Sequence, residues 1–163
     1  MGAGRKLKIY LDTSVVNHLF ADDTPDKMRV TARLWDECRA GKYDVFISPV
    51  VFGELVECPE PKQSKMYEKL ALLKLVELPA TDEVKVLAAE YIKHGVLSEK
   101  NLNDCLHIAY AVVNGCDVVI SWNFRHIVKF KTIDKVKVVN AINRYKEIII
   151  VSPTMFVDDE GEG

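Results

Sequence analysis

No stretch of this 163-residue sequence approaches the roughly 18 consecutive apolar residues needed to span a membrane. Residues 1–8 are basic and lack the apolar segment of a secretory signal, and Lys6 stands where a myristoylation motif requires Ser or Thr. A cytoplasmic protein is the expectation. The four cysteines, Cys38, Cys58, Cys105 and Cys116, form no Cys-x-x-Cys pair and have no histidine at zinc-ligand spacing, so reduced thiols are expected rather than a zinc site. Gly-x-x-x-x-Gly-Lys and Gly-x-Gly-x-x-Gly runs are also missing, which removes the phosphate-cradling loops of NTPases and dinucleotide enzymes. A net charge of −2 excludes a polycation that binds nucleic acid by bulk charge.

Charge distribution says more than the sum. Between Arg125 and Lys146 there are seven Lys or Arg residues and a single acid, Asp134, whereas the carboxyl end, Asp158-Asp159-Glu160-Gly161-Glu162, is acidic. With 48% hydrophobic residues the chain can bury one sizeable core and is too short for two. A single domain over residues 1–153 is expected, followed by an acidic, flexible tail at 154–163.

Hydrophobic periodicity supplies the elements. Residues 101–126 read as helix, stop, buried strand and polar loop. Asn103 is a candidate N-cap, Leu102, Cys105, Leu106, Ala109, Val112 and Val113 share a face, and Asn114-Gly115 ends the helix. Asp104 falls in its first turn. The run Val118-Val119-Ile120 has the β-branched character of a strand buried on both faces and leads into Ser121-Trp122-Asn123. Upstream, a strand at 7–11 ends at Asp12, with Thr13 or Ser14 able to cap the next helix. Pro25 opens a second helix, and 44–47 form another strand. Ser48-Pro49 opens the helix that carries Glu54. Helices are further expected at 62–73, from 81 to 94, briefly at 124–128 and at 136–145, with a last strand at 147–151; residues 75–79 suit an edge strand or a helix end. Alternation of strands and helices predicts an α/β fold with three layers, a central, mainly parallel sheet flanked by helices.

Three acids, Asp12, Glu54 and Asp104, each fall where an element begins or ends. Singly they are ordinary: a cap, a solvated helix residue, an acid favoured by the helix dipole. Jointly they mean more. If the strands beginning near Ile9 and Val118 are neighbours, Asp12 and Asn123 share one sheet edge and the other two helices can flank it. Converging carboxylates repel unless a hard cation binds between them, and oxygen donors without histidine or cysteine pairs favour Mg²⁺ or Mn²⁺. Ser14 and Ser121 could position a water or a phosphate oxygen. His107 and His126 invite assignment as general bases, although half-exposed structural histidines are the plainer expectation. An aspartyl-phosphate enzyme would want an acid two residues after Asp12, where Ser14 stands.

Taken together, Ile9-Tyr10-Leu11-Asp12-Thr13-Ser14, Ile47-Ser48-Pro49 through Glu54, Leu102-Asn103-Asp104-Cys105-Leu106-His107-Ile108-Ala109 and Ser121-Trp122-Asn123 resemble the motifs of the PIN-domain nucleases, and among them the VapC-like toxins of toxin–antitoxin systems. The resemblance spans residues 7–153. It implies a Mg²⁺- or Mn²⁺-dependent endoribonuclease with Asp12, Glu54 and Asp104 as metal-site acids and Asn123 at a fourth position that is often aspartate. It also implies a cognate antitoxin and a homodimer, for which the apolar helices near 28–38 and 62–73 offer some support. Arg125, Lys129 and Lys131, following Asn123, are candidate RNA contacts. The competing expectation is a catalytically weak or inactive PIN-like module that binds RNA or a protein partner, a possibility that Asn123 keeps open.

Overall fold

The computed structural model describes residues 4–157. Five strands form one sheet: β1 (Lys8–Leu11), β2 (Asp44–Ile47), β3 (Leu75–Glu77), β4 (Val118–Ile120) and β5 (Ile149–Val151), in the spatial order β3-β2-β1-β4-β5. Every pairing is parallel, with Ile9 opposite Val118 and Val45 opposite Leu75. The chain therefore builds outward from β1 to β3 and then crosses back to place β4 on the other side of β1. That reversal leaves a crevice beyond the carboxyl ends of β1 and β4, where open α/β sheets bind ligands.

Alternation along the strands supplies two cores. Tyr10, Val119 and Ile150 face α5 (Asp82–Lys93), α6 (Leu102–Val113) and α7 (Phe130–Ile142). On the opposite face, Ile9, Leu11, Val45, Ile47, Val118 and Ile120 pack with residues of α1 (Thr13–His18), α2 (Pro25–Arg39), α3 (Pro49–Leu55) and α4 (Lys62–Leu70). Leu34, Trp35 and Cys38 of α2, and Met66 and Leu70 of α4, belong to this second core. The apolar content of these two helices is thus used inside the chain and is no argument for a dimer.

Several element ends differ from the sequence expectation, each for a local reason. Asp12, not Thr13 or Ser14, caps α1, because its carboxylate accepts the Ser14 N–H. Asn103 lies inside α6, which is entered through a 3-10 turn at Glu99–Asn101. Leu102, expected on the apolar stripe, is exposed, whereas His107 is buried. At the other end Gly115, with φ of 70°, makes the left-handed stop, and the Gly115 and Cys116 N–H groups bond back to Val112 and Ala111. Residues 124–127 form hydrogen-bonded turns, not a helix, and the following helix starts six residues before the expected 136. The edge strand is present at Leu75–Glu77. A short helix, α8 (Pro153–Phe156), carries the ordered chain past 153 to a buried Val157; the remainder of the expected tail lies outside the described residues. Among the described residues no helix is long and apolar enough to cross a membrane.

Candidate metal centre

Asp12 reaches the crevice because β1 ends one residue before it, and Ser121 because β4 ends there on the neighbouring strand. Ser121 Oγ donates to Asp12 Oδ2 at 2.6 Å, and the Asp12 N–H donates to Ile120 O across the strand pair. Ser14, in the first turn of α1, gives both its N–H and its hydroxyl to Asp12 Oδ1. Its Oγ in turn accepts the Trp122 N–H at 2.8 Å. Two serines therefore fix both oxygens of a carboxylate that is only 5% exposed.

Ser48 caps α3 and Pro49 fills its first turn, which aims Glu54, on the last turn of the helix, toward the same place. There it meets α6. His107 Nε2 lies 2.8 Å from Glu54 Oε1, and Thr13 Oγ1 donates to the same oxygen. Since a carboxylate only accepts, Nε2 carries the hydrogen. His107 Nδ1 is 2.7 Å from the Tyr10 hydroxyl, which is 2.8 Å from Ser48 Oγ. A closed polar circuit thus joins β1, α3 and α6. Asp104, one turn before His107, has His126 Nδ1 at 3.1 Å from Oδ2 and accepts from Asn123 Nδ2 at 3.3 Å on Oδ1. Asn123 Oδ1 accepts the His126 N–H, so one amide serves as both turn cap and Asp104 donor.

Asp12, Glu54, Asp104 and Asn123 line one open cavity of about 330 Å³, together with Ser14, Asn17 and His107. Burial pushes the Asp12 carboxyl above its ordinary pKa despite His107, Ser121 and Ser14, and the Asp104 charge pushes the same way. Asp104 is also raised, first by burial and in part by Glu54, against the pull of His107 and His126. Glu54 goes the other way. Burial opposes its ionised form, but the His107 hydrogen bond and charge and the Thr13 hydroxyl outweigh that and hold it below the usual carboxylate range. Burial disfavours charge on His107, yet Glu54, Asp12 and Asp104 raise its pKa.

Two aspartates whose charge burial disfavours, beside a glutamate held ionised, are all oxygen donors and fit a hard divalent cation by chemistry. The side chains as they stand are drawn toward protein donors, and among the described residues no three His, Cys, Asp or Glu side chains are grouped closely enough to enclose an ion. Binding would exchange some of those hydrogen bonds for the cation.

A family model for the PIN domain matches residues 9–136. The chain belongs to the PIN domain family. The fold agrees at large evolutionary distance. VapBC2 from Rickettsia felis, solved bound to a DNA fragment from its promoter, is 16% identical and superposes with a TM-score of 0.53 over 90% of this chain and 98% of that one. VapBC-1 from nontypeable Haemophilus influenzae is 12% identical, with a TM-score of 0.55 over 91% and 99%. No curated protein matches the sequence.

Within this PIN domain Asp12, Ser14, Glu54, Asp104 and Asn123 line one cavity, and Ser121 is tied to it through Asp12; of the two histidines only His107 departs from the half-exposed expectation, His126 being partly exposed. His107 is 2% exposed and contacts Glu54, so it is neither half-exposed nor remote from the acids. Its position one helical turn after Asp104, on the same face, was the available signal. Of the basic run, Lys135, Lys137 and Lys146 are engaged by Gly95 O, Glu147 and Asp117. Arg125, Lys129 and Lys131 have no carboxylate partner among the described residues, and none lines the cavity.

Proposed function

We propose that this PIN domain is a divalent-metal-dependent endoribonuclease and the toxin half of a toxin–antitoxin pair. The observation that carries the proposal is the gathering of Asp12, Glu54, Asp104 and Asn123 round one cavity at the switch point of a parallel sheet. Asp12 and Asp104 would hold Mg²⁺ or Mn²⁺, with Glu54 completing the set. Such a cation, when bound, lowers the pKa of its water and neutralises charge on a phosphodiester. Ser14 and Ser121 keep Asp12 from rotating away. His107 holds Glu54 ionised and in place, and Asn123 steadies Asp104 by donation rather than adding a fourth charge. Arg125, Lys129 and Lys131 supply cations for the RNA backbone beside the cavity.

Support for a toxin role, and for a protein antitoxin as partner, comes from the fold shared with two VapBC assemblies; a cytoplasmic location and a homodimer belong to the same proposal. Expression of the chain alone should arrest growth, and Asp104→Asn should not; arrest by both would remove the nuclease from the explanation. Sedimentation at micromolar concentration giving only an 18.4 kDa species would rule out the dimer.

One observation favours a second reading, a PIN-like module that binds without cutting: the oxygens of the three acids are occupied by protein donors. Metal-dependent cleavage of an RNA panel by purified protein separates the two.

A further inference from the structure

The residues next to the cavity form a second feature that the acid cluster does not use. Trp122 and Phe124 flank Asn123, and His18 follows Asn17; both Asn17 and Asn123 line the cavity. The Trp122 ring is fixed. Its Nε1–H donates to the buried Thr31 hydroxyl at 2.8 Å, its backbone N–H donates to Ser14, and the His18 ring lies 5.4 Å away at an interplanar angle of 30°. Phe124 meets this fixed ring edge-on, centroids 6.1 Å apart at 71°, yet is 47% exposed. Lys27 Nζ sits 5.4 Å from the Trp122 centroid and 5.2 Å from that of Phe124. Among the described residues it pairs with no carboxylate. A rigidly backed aromatic ring thus stands one residue from cavity-lining Asn123, with the Lys27 ammonium over it and the exposed Arg125 next in the chain.

One half-exposed apolar ring is ordinary, but a ring braced by a second ring and accompanied by a cation suits a ligand that is flat and attached to negative charge. A nucleobase joined to its phosphate answers both. We propose that Phe124, backed by Trp122 and flanked by Lys27, is a stacking platform for an unpaired nucleobase adjoining the phosphodiester in the acid-lined cavity. The inference rests on the nuclease reading above and adds the residue that holds an unstacked base beside the cut. A base inside a duplex has both faces occupied by its neighbours and cannot use the ring.

The test uses full-length protein with Phe124→Ala, Phe124→Leu and Phe124→Trp. Three probes serve: a single-stranded RNA, bis(4-nitrophenyl) phosphate as a phosphodiester without bases, and a single-stranded RNA containing 2-aminopurine, whose fluorescence is quenched by stacking. Phe124→Ala should lower kcat/KM on the RNA by about 5- to 150-fold, the range expected for one base–aromatic stack. Phe124→Trp should restore it, Phe124→Leu should not, and hydrolysis of bis(4-nitrophenyl) phosphate should be unchanged in all three. Unaltered RNA cleavage by Phe124→Ala, full rescue by Phe124→Leu, or an equal loss on the baseless ester would overturn the platform. Loss confined to association with a protein partner would overturn it too. Quenching is measured in an Asp104→Asn background, where it needs no cleavage. If wild type cuts neither substrate but quenching still depends on Phe124, the nuclease reading fails and the platform stands; quenching independent of Phe124 sinks the platform alone.

Discussion

Replacing Asp12 by Asn and, separately, by Ala divides the work of its carboxylate between holding the fold and holding a cation. In the metal-free protein Asp12 caps α1 through the Ser14 N–H and accepts from the Ser121 hydroxyl while almost wholly buried. Asn keeps an acceptor for the cap and offers an N–H to Ser121 Oγ, and it removes a buried charge. Its stability should therefore match wild type within about 0.5 kcal/mol or exceed it. Ala loses the cap and leaves Ser121 without its acceptor, a cost of about 1–2 kcal/mol, which is a melting-temperature drop of roughly 2–8 °C for a chain of this length. The pH dependence has a definite sign. The folded-state pKa of Asp12 is raised by burial, so the native state retains the proton that the unfolded chain has already lost, and this group's contribution to stability falls as pH rises through that window. Asp12→Asn abolishes that decline. With Mn²⁺ at 100 times its dissociation constant, wild type should gain about 2.7 kcal/mol, roughly 5–11 °C, and both variants far less. Differential scanning fluorimetry with and without Mn²⁺ reads all of this. An Asn variant that rises with metal as wild type does would refute the assignment of Asp12.

Asn123→Asp exchanges a donor to Asp104 for a fourth carboxylate, so it should destabilise the metal-free protein by about 1 kcal/mol and enlarge the stabilisation by Mn²⁺, both measurable by the same melts. Replacing Arg125, Lys129 and Lys131 together by Gln should reduce the slope of log affinity against log salt for single-stranded RNA by about 2, at roughly 0.7 per phosphate contact; an unchanged slope would put the RNA elsewhere. Asp117 lies far from the cavity and serves as a control on the electrostatics. The Arg5 hydrogen bond, with those of the Lys8 N–H and Lys146, holds its carboxyl well below the usual range. Asp117→Asn should then cost about 1–2 kcal/mol at neutral pH. The difference from wild type should vanish as pH falls through the folded-state pKa, a convergence that urea unfolding at several pH values would reveal.

How much of this was legible in the sequence depends on the range of the interaction. The sequence offered the adjacency of β1 and β4 only as the condition under which Asp12 and Asn123 share an edge, since strand order is a long-range property, and the pairing of Ile9 with Val118 meets that condition. Ser48-Pro49 and Asn114-Gly115 punctuate their helices as local chemistry requires. The α1 cap falls at Asp12 and not at the expected Thr13 or Ser14 because all three are able caps in succession, and only the strand's end decides among them. His107 was misjudged for a different reason. Its partners are Glu54, 53 residues away, and Tyr10, 97 residues away, and α6 is buried on so much of its circumference that a stripe of apolar positions misplaces the polar face. Likewise the apolar sides of α2 and α4 are matched within the chain, a fact that periodicity alone does not distinguish from an interface. Phe124 stands at no special spacing. Its meaning comes from the cation of α2 above it.

The most direct test of the account is internal cleavage of end-labelled single-stranded RNA by purified protein, before and after exhaustive chelation and after Mn²⁺ is returned, with Asp104→Asn alongside. The account expects discrete internal cuts that disappear on chelation, return with Mn²⁺, and fall by about 100-fold or more in the variant. Cleavage that survives chelation, or an Asp104→Asn protein that cuts at the wild-type rate, would contradict it.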